Sequence, residues 1–96
     1  MRRAAKVDGN QAAIVAALRK IGASVSPTHM IGGGFPDLVV GFRQRSVLFE
    51  LKDPAQPPSK RKLTDDEAVW FGNWRGEAYV IETAEEAIAI LMKEAA

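Results

Sequence analysis

The sequence contains no cysteine, which excludes disulfide scaffolds, zinc fingers, iron–sulfur clusters and thiol nucleophiles. Its one histidine, His29, is too little for a His-rich zinc site. No apolar run approaches the ~18 residues of a membrane-spanning helix. The basic start, Met1-Arg2-Arg3-Ala4-Ala5-Lys6, leads into Asp8-Gly9-Asn10 rather than the apolar core of a signal peptide. The expectation is therefore a soluble cytoplasmic protein without a membrane partner. Neither a Gly-x-x-x-x-Gly-Lys-Ser/Thr loop nor a Gly-x-Gly-x-x-Gly fingerprint occurs, so a nucleotide-binding metabolic role has no support. Helix-turn-helix and other groove-reading modules are also missing.

What remains is an ordinary globular composition, with 47% hydrophobic and 26% charged residues in 96. That length accommodates one domain, residues 1–96, which buries roughly 60–65% of its unfolded surface. A net charge of +1 conceals a division. Residues 1–62 hold eleven Lys/Arg against four Asp/Glu, whereas residues 63–96 hold two against eight. Such asymmetry is read either as a polyanion-binding side or as two solvated faces that neutralise each other.

The periodicity predicts α-β-β-β-α-β-α. Asn10 to Ile21 has apolar residues at helical spacing, with Asp8 or Asn10 as cap and Gly22 as stop. Ala23 to Ile31, interrupted by Pro27, suits an edge strand. Leu38 to Phe42 and Ser46 to Lys52 are strands joined through Arg43-Gln44-Arg45, and the short connection predicts an antiparallel hairpin. Residues 54–62 form an exposed loop. Thr64 and Glu67 complete a capping box for a helix to about Trp74. Residues 77–82 read as a strand, and a helix follows from Ala84. The fold class is α/β, a small mixed sheet with helices on its faces.

Three ionisable groups stand where a simple core has no use for them. Asp37 opens an aliphatic strand, and Glu50 and Lys52 share one face near the end of the next. Pairing about the hairpin puts Leu38 opposite or nearly opposite Glu50, with Asp37 close by. Two carboxylates and the backbone carbonyl of Leu51 offer hard oxygen ligands for Mg²⁺. Lys52 is then placed to orient water and to stabilise charge building on phosphorus, which amounts to phosphodiester hydrolysis. The bland alternative is a surface ion pair between Glu50 and Lys52, contributing about 0–1 kcal/mol.

Gly33-Gly34-Phe35-Pro36-Asp37-Leu38-Val39-Val40-Gly41 followed by Leu48-Phe49-Glu50-Leu51-Lys52 resembles the signature of the PD-(D/E)XK nuclease superfamily. Within it, the sequence is similar to the VRR-NUC group, in particular its short stand-alone phage and bacterial members, over nearly the whole chain. The resemblance implies a restriction-endonuclease-like αβββαβ core with a C-terminal helix. It also implies a Mg²⁺- or Mn²⁺-dependent, homodimeric endonuclease that cuts branched DNA such as Holliday junctions. Asp37 and Glu50 would be its metal ligands and Lys52 its catalytic lysine.

The sequence departs from that pattern at two places. Only Asp8 and Gln11 stand where many members carry an acidic residue ahead of a glutamine. Asp8 is read either as a water-mediated metal ligand or as a helix cap, and Gln11 either as a partner of metal-bound water or Lys52, or as an ordinary polar residue. Glu67-Ala68-Val69-Trp70 replaces the frequent Gln-x-x-Trp; Glu67 is read either as a capping residue only or as a member of the site, and Trp70 as a core residue more readily than as a base-stacking platform.

Around the site, Gly33 and Gly34 permit either close approach of a phosphate or a flexible connection. His29 is read as structural more readily than as a phosphate donor. Lys60, Arg61 and Lys62 are the primary candidates for gripping a DNA backbone, and Arg2, Arg3, Lys6, Arg43 and Arg45 are secondary ones. A domain this small has little surface for a four-way junction, which favours a two-fold dimer. The rival reading is a non-catalytic nucleic-acid-binding module on the same fold.

Overall fold

The computed structural model describes residues 9–93, so Asp8, Arg2, Arg3 and Lys6 lie outside the described residues. The elements run α1 (Gln11–Lys20), β1 (Ser24–Pro27), β2 (Leu38–Phe42), β3 (Arg45–Leu51), a 3-10 turn (Pro58–Lys60), α2 (Asp65–Asn73), β4 (Ala78–Ile81) and α3 (Ala84–Met92). This is the predicted order, and the strands form one mixed sheet in the order β1-β2-β3-β4. The first two pairings are antiparallel and β3–β4 is parallel. A parallel neighbour requires a crossover, and the segment containing α2 supplies it.

α1 ends where Gly22 adopts a φ of +95°. The amide of Gly22 donates to the Arg19 carbonyl and that of Ala23 to the Leu18 carbonyl, the paired bonds of a Schellman stop. Asn10 precedes the helix without making a side-chain cap bond. Its amide nitrogen donates instead to the carbonyls of Lys52 and Glu82, tying the start of α1 to the ends of β3 and β4.

Two strand boundaries differ from expectation. β1 stops at Pro27 and does not continue to Ile31. Beyond it, the Thr28 amide donates to the Asp37 carbonyl and the Thr28 hydroxyl to the Pro36 carbonyl, which closes a loop over residues 28–37. The hairpin turn has two residues rather than three, because Arg45 already pairs with Phe42. Arg43 and Gln44 both have positive φ, the backbone twist that two-residue hairpins demand, although neither is a glycine.

The core lies on one face of the sheet, under α1 and α3. Val25, Leu38, Val40, Val47, Phe49, Leu51 and Ile81 meet Ile14, Val15 and Leu18 from α1 and Ala87 and Leu91 from α3. Strand alternation places Asp37, Leu48, Glu50 and Lys52 on the opposite face, toward α2. Leu48, Glu50 and Lys52 are nevertheless buried.

α2 itself has no buried residue. Val69 is 64% exposed, and Trp70 is half-buried in an aromatic group with Phe35, Phe71 and Trp74. The expectation of Trp70 in the core is corrected accordingly: among the described residues, nothing packs over the outer side of α2.

Candidate active site

The β2–β3 register pairs Leu38 with Phe49, and its continuation by one residue sets Asp37 across from Glu50. Asp37 Oδ2 accepts the Leu51 amide at 2.8 Å, so the carboxylate is fixed against the end of β3. A strand residue turns its N–H and carbonyl to the same side, which directs the Leu51 carbonyl toward Asp37 as well. Lys52 Nζ lies 3.6 Å from Glu50 Oε2. Acid, acid and amine therefore meet at one end of the hairpin. Glu50 is 3% exposed and Lys52 8% exposed, which removes the reading of a solvated surface pair.

A residue read as a helix cap belongs to the same cluster. Glu67 Oε1 accepts Lys52 Nζ at 2.8 Å and the Thr64 amide at 2.8 Å. The capping box is present as predicted, and its carboxylate also meets Lys52, a contact that capping chemistry alone does not foretell. Gly34 brings α2 to this position. It sits at a φ of +83°, and a Cβ there would run into the Asp66 carbonyl and the Glu67 amide. Gly34 is thus a packing contact with α2, whereas a Cβ at Gly33 would meet only open space.

The electrostatics follow from this crowding. Burial pushes the Glu50 carboxyl up, as do the charge of Asp37 and the hydrogen bond to and charge of Glu67, and Lys52 opposes them only in part. Its pKa reaches about 9. Partial burial raises Glu67 too, but the hydrogen bonds from Lys52 and Thr64 outweigh it and hold Glu67 below the usual carboxylate range. At neutral pH the cluster holds Glu67 as an anion and Glu50 as a neutral acid.

Gln11 is buried at the start of α1, beside the residue that contacts the Lys52 carbonyl. Among the described residues, three buried oxygens at this end accept no hydrogen bond: Asn10 Oδ1, Gln11 Oε1 and Glu50 Oε1. Among the described residues, no three His, Cys, Asp or Glu side chains form a ready metal cage. Two carboxylates, the Leu51 carbonyl and unsatisfied oxygens nevertheless fit a hard divalent cation that keeps several waters.

The remaining candidates are dispersed. Lys60 and Lys62 are exposed, while Arg61 lies 3.6 Å from Glu82. Arg43 stacks over Phe42. Arg45 is committed to the fold: it donates to Glu77 and to the carbonyls of Ile90, Leu91 and Lys93 at the end of α3. His29 is half-buried, and its Nδ1 lacks a hydrogen-bond partner.

Fold and site define a small mixed α/β domain with an acid–acid–lysine cluster at one end of its sheet. No family model matches the chain, and neither a curated protein nor a solved structure matches it. No described helix is long and apolar enough to cross a membrane.

Proposed function

We propose that this chain is a divalent-metal-dependent DNA endonuclease of the VRR-NUC type that hydrolyses phosphodiester bonds in branched DNA, as a homodimer in the cytoplasm. The observation that carries the reading is the meeting of half-buried Asp37 with buried Glu50 and Lys52 at one end of the hairpin. A surface hairpin has no reason to keep Glu50 and Lys52 out of water beside a second acid, because burial of charge is costly. Perturbed ionisable groups of this kind gather where chemistry is done.

Asp37, Glu50 and the Leu51 carbonyl would hold Mg²⁺ or Mn²⁺, with Gln11 close to its water shell. When bound, the ion polarises the phosphate and activates water. On binding the ion Glu50 would release its proton to solvent and serve as a ligand, Asp37 would keep Oδ2 aligned through the Leu51 amide, and Lys52 would stabilise negative charge developing on the phosphate. Lys60 and Lys62 supply exposed cations for the DNA backbone, and no groove-reading module accompanies them among the described residues, which favours recognition of shape.

The test is incubation of the purified chain with labelled four-way junction, flap and linear duplex in Mg²⁺, Mn²⁺ or EDTA. Metal-dependent cleavage is expected, strongest on a branched substrate, and K52A is expected to bind the junction without cutting it. Failure to cut any of the substrates with either metal overturns the enzyme reading. Junction binding by such an inactive chain would leave the binding-module reading in its place.

A further inference from the structure

One oxygen of Glu67 serves two donors. In an ordinary capping box the glutamate reaches back to a backbone amide and nothing else. Here Glu67 Oε1 accepts the Thr64 amide at 2.8 Å and Lys52 Nζ at 2.8 Å, and the Glu67 amide in turn donates to Thr64 Oγ1 at 3.3 Å. Gly34 abuts the backbone of Asp66 and Glu67, which fixes where the first turn of α2 sits.

Lys52 needs such a fixture. Its ammonium is a point charge on a flexible four-carbon stem. The ammonium lies nearer Glu67 Oε1, at 2.8 Å, than Glu50 Oε2, at 3.6 Å. Strand β3 sets where the stem leaves the backbone, and the cap of α2 sets where the charge arrives.

From these contacts we infer that Glu67 is a positioning residue, which fixes the Lys52 ammonium beside Asp37 and Glu50 and so couples the N-terminus of α2 to catalysis. This inference rests on the nuclease reading above. A glutamine at 67 retains an oxygen able to accept from both Lys52 and Thr64, whereas alanine retains neither bond. Thr64→Ala provides the structural control, since it removes half of the cap and leaves the Glu67 carboxylate in place.

The experiment compares the parent with E67A, E67Q, E67D and T64A. It reads thermal stability, junction affinity in EDTA, and single-turnover cleavage at saturating protein. E67A is expected to slow cleavage on the order of 10–100-fold, the scale of a misplaced catalytic group, with junction affinity nearly unchanged. E67Q is expected to recover most of that loss. T64A is expected to lower stability without slowing cleavage.

A readout independent of activity is acylation of Lys52 by an amine-reactive reagent, followed by peptide mass spectrometry. Lys52 is expected to react faster in E67A than in the parent or T64A. If E67A does not fold, E67D decides: its shortened carboxylate cannot reach both donors, so slowed cleavage is expected. Parental or faster cleavage by E67A or E67D overturns the inference, as does loss of rate in T64A equal to that in E67A. A parent chain that cuts nothing overturns the nuclease reading and this inference with it, whereas indifferent Glu67 variants of a cutting parent remove this inference alone.

Discussion

Glu50 is buried among Asp37, Glu67 and Lys52, and its carboxyl titrates at about 9 in the folded chain. In the unfolded chain it returns to the ordinary value near 4.5. The native state therefore holds a proton that the unfolded state releases, so stability must fall as pH rises between those two values. The contribution is complete below the unfolded pKa and is lost by the time pH has passed the folded one. The limiting slope is about 1.4 kcal/mol per pH unit. Over the interval from 4.5 to 9 the ceiling is about 6 kcal/mol, since relaxation of the surroundings and entry of water reduce it. That is comparable with the whole stability of a small domain, about 5–15 kcal/mol.

The assay is urea denaturation in EDTA across this interval, for the parent and for E50Q, whose neutral amide does not titrate. Parent stability is expected to decline steadily toward alkaline pH while E50Q stays nearly flat and becomes the more stable chain above neutrality. Addition of Mn²⁺ is expected to raise the alkaline arm of the parent only, because the ion replaces the proton on Glu50. Parallel profiles for parent and E50Q in EDTA would refute the reasoning from burial.

G34A is expected to lose about 1–3 kcal/mol, from a left-handed φ and a clash with the Asp66 carbonyl, read as a lower urea midpoint with early loss of amide protection in α2; parental stability would show that the loop and α2 are not in contact. For K60A/K62A, junction affinity measured against salt is expected to flatten by about 1.8 in log–log slope, with R61A contributing less because Arg61 faces Glu82. An unchanged slope in the double variant would place the DNA elsewhere.

Much of this architecture is local and therefore readable. Leu38 to Phe42 matches its predicted limits, and the following strand is displaced by one residue, because alternation and turn spacing are properties of neighbouring residues. The Thr64–Glu67 box was legible for the same reason: a cap is satisfied within one helical turn. Misreadings occur where distant partners decide. Ala23 to Ile31 looks like one strand until Thr28 is captured by Asp37 and Pro36. Trp70 and Val69 have the hydrophobicity of core residues, yet no described residue packs over the outer side of α2.

The sequence by itself determined the order of strands and helices and that Glu50 and Lys52 occupy one face, because backbone periodicity requires nothing beyond the chain's immediate neighbourhood. Tertiary structure alone decided that Asp37 Oδ2 meets the Leu51 amide, that Arg45 is bound to Glu77 and the end of α3, and that the carboxylate closing a helix cap also holds Lys52. Those contacts depend on how the sheet registers and which helix covers which face, and such long-range choices are settled by the packing of the whole chain.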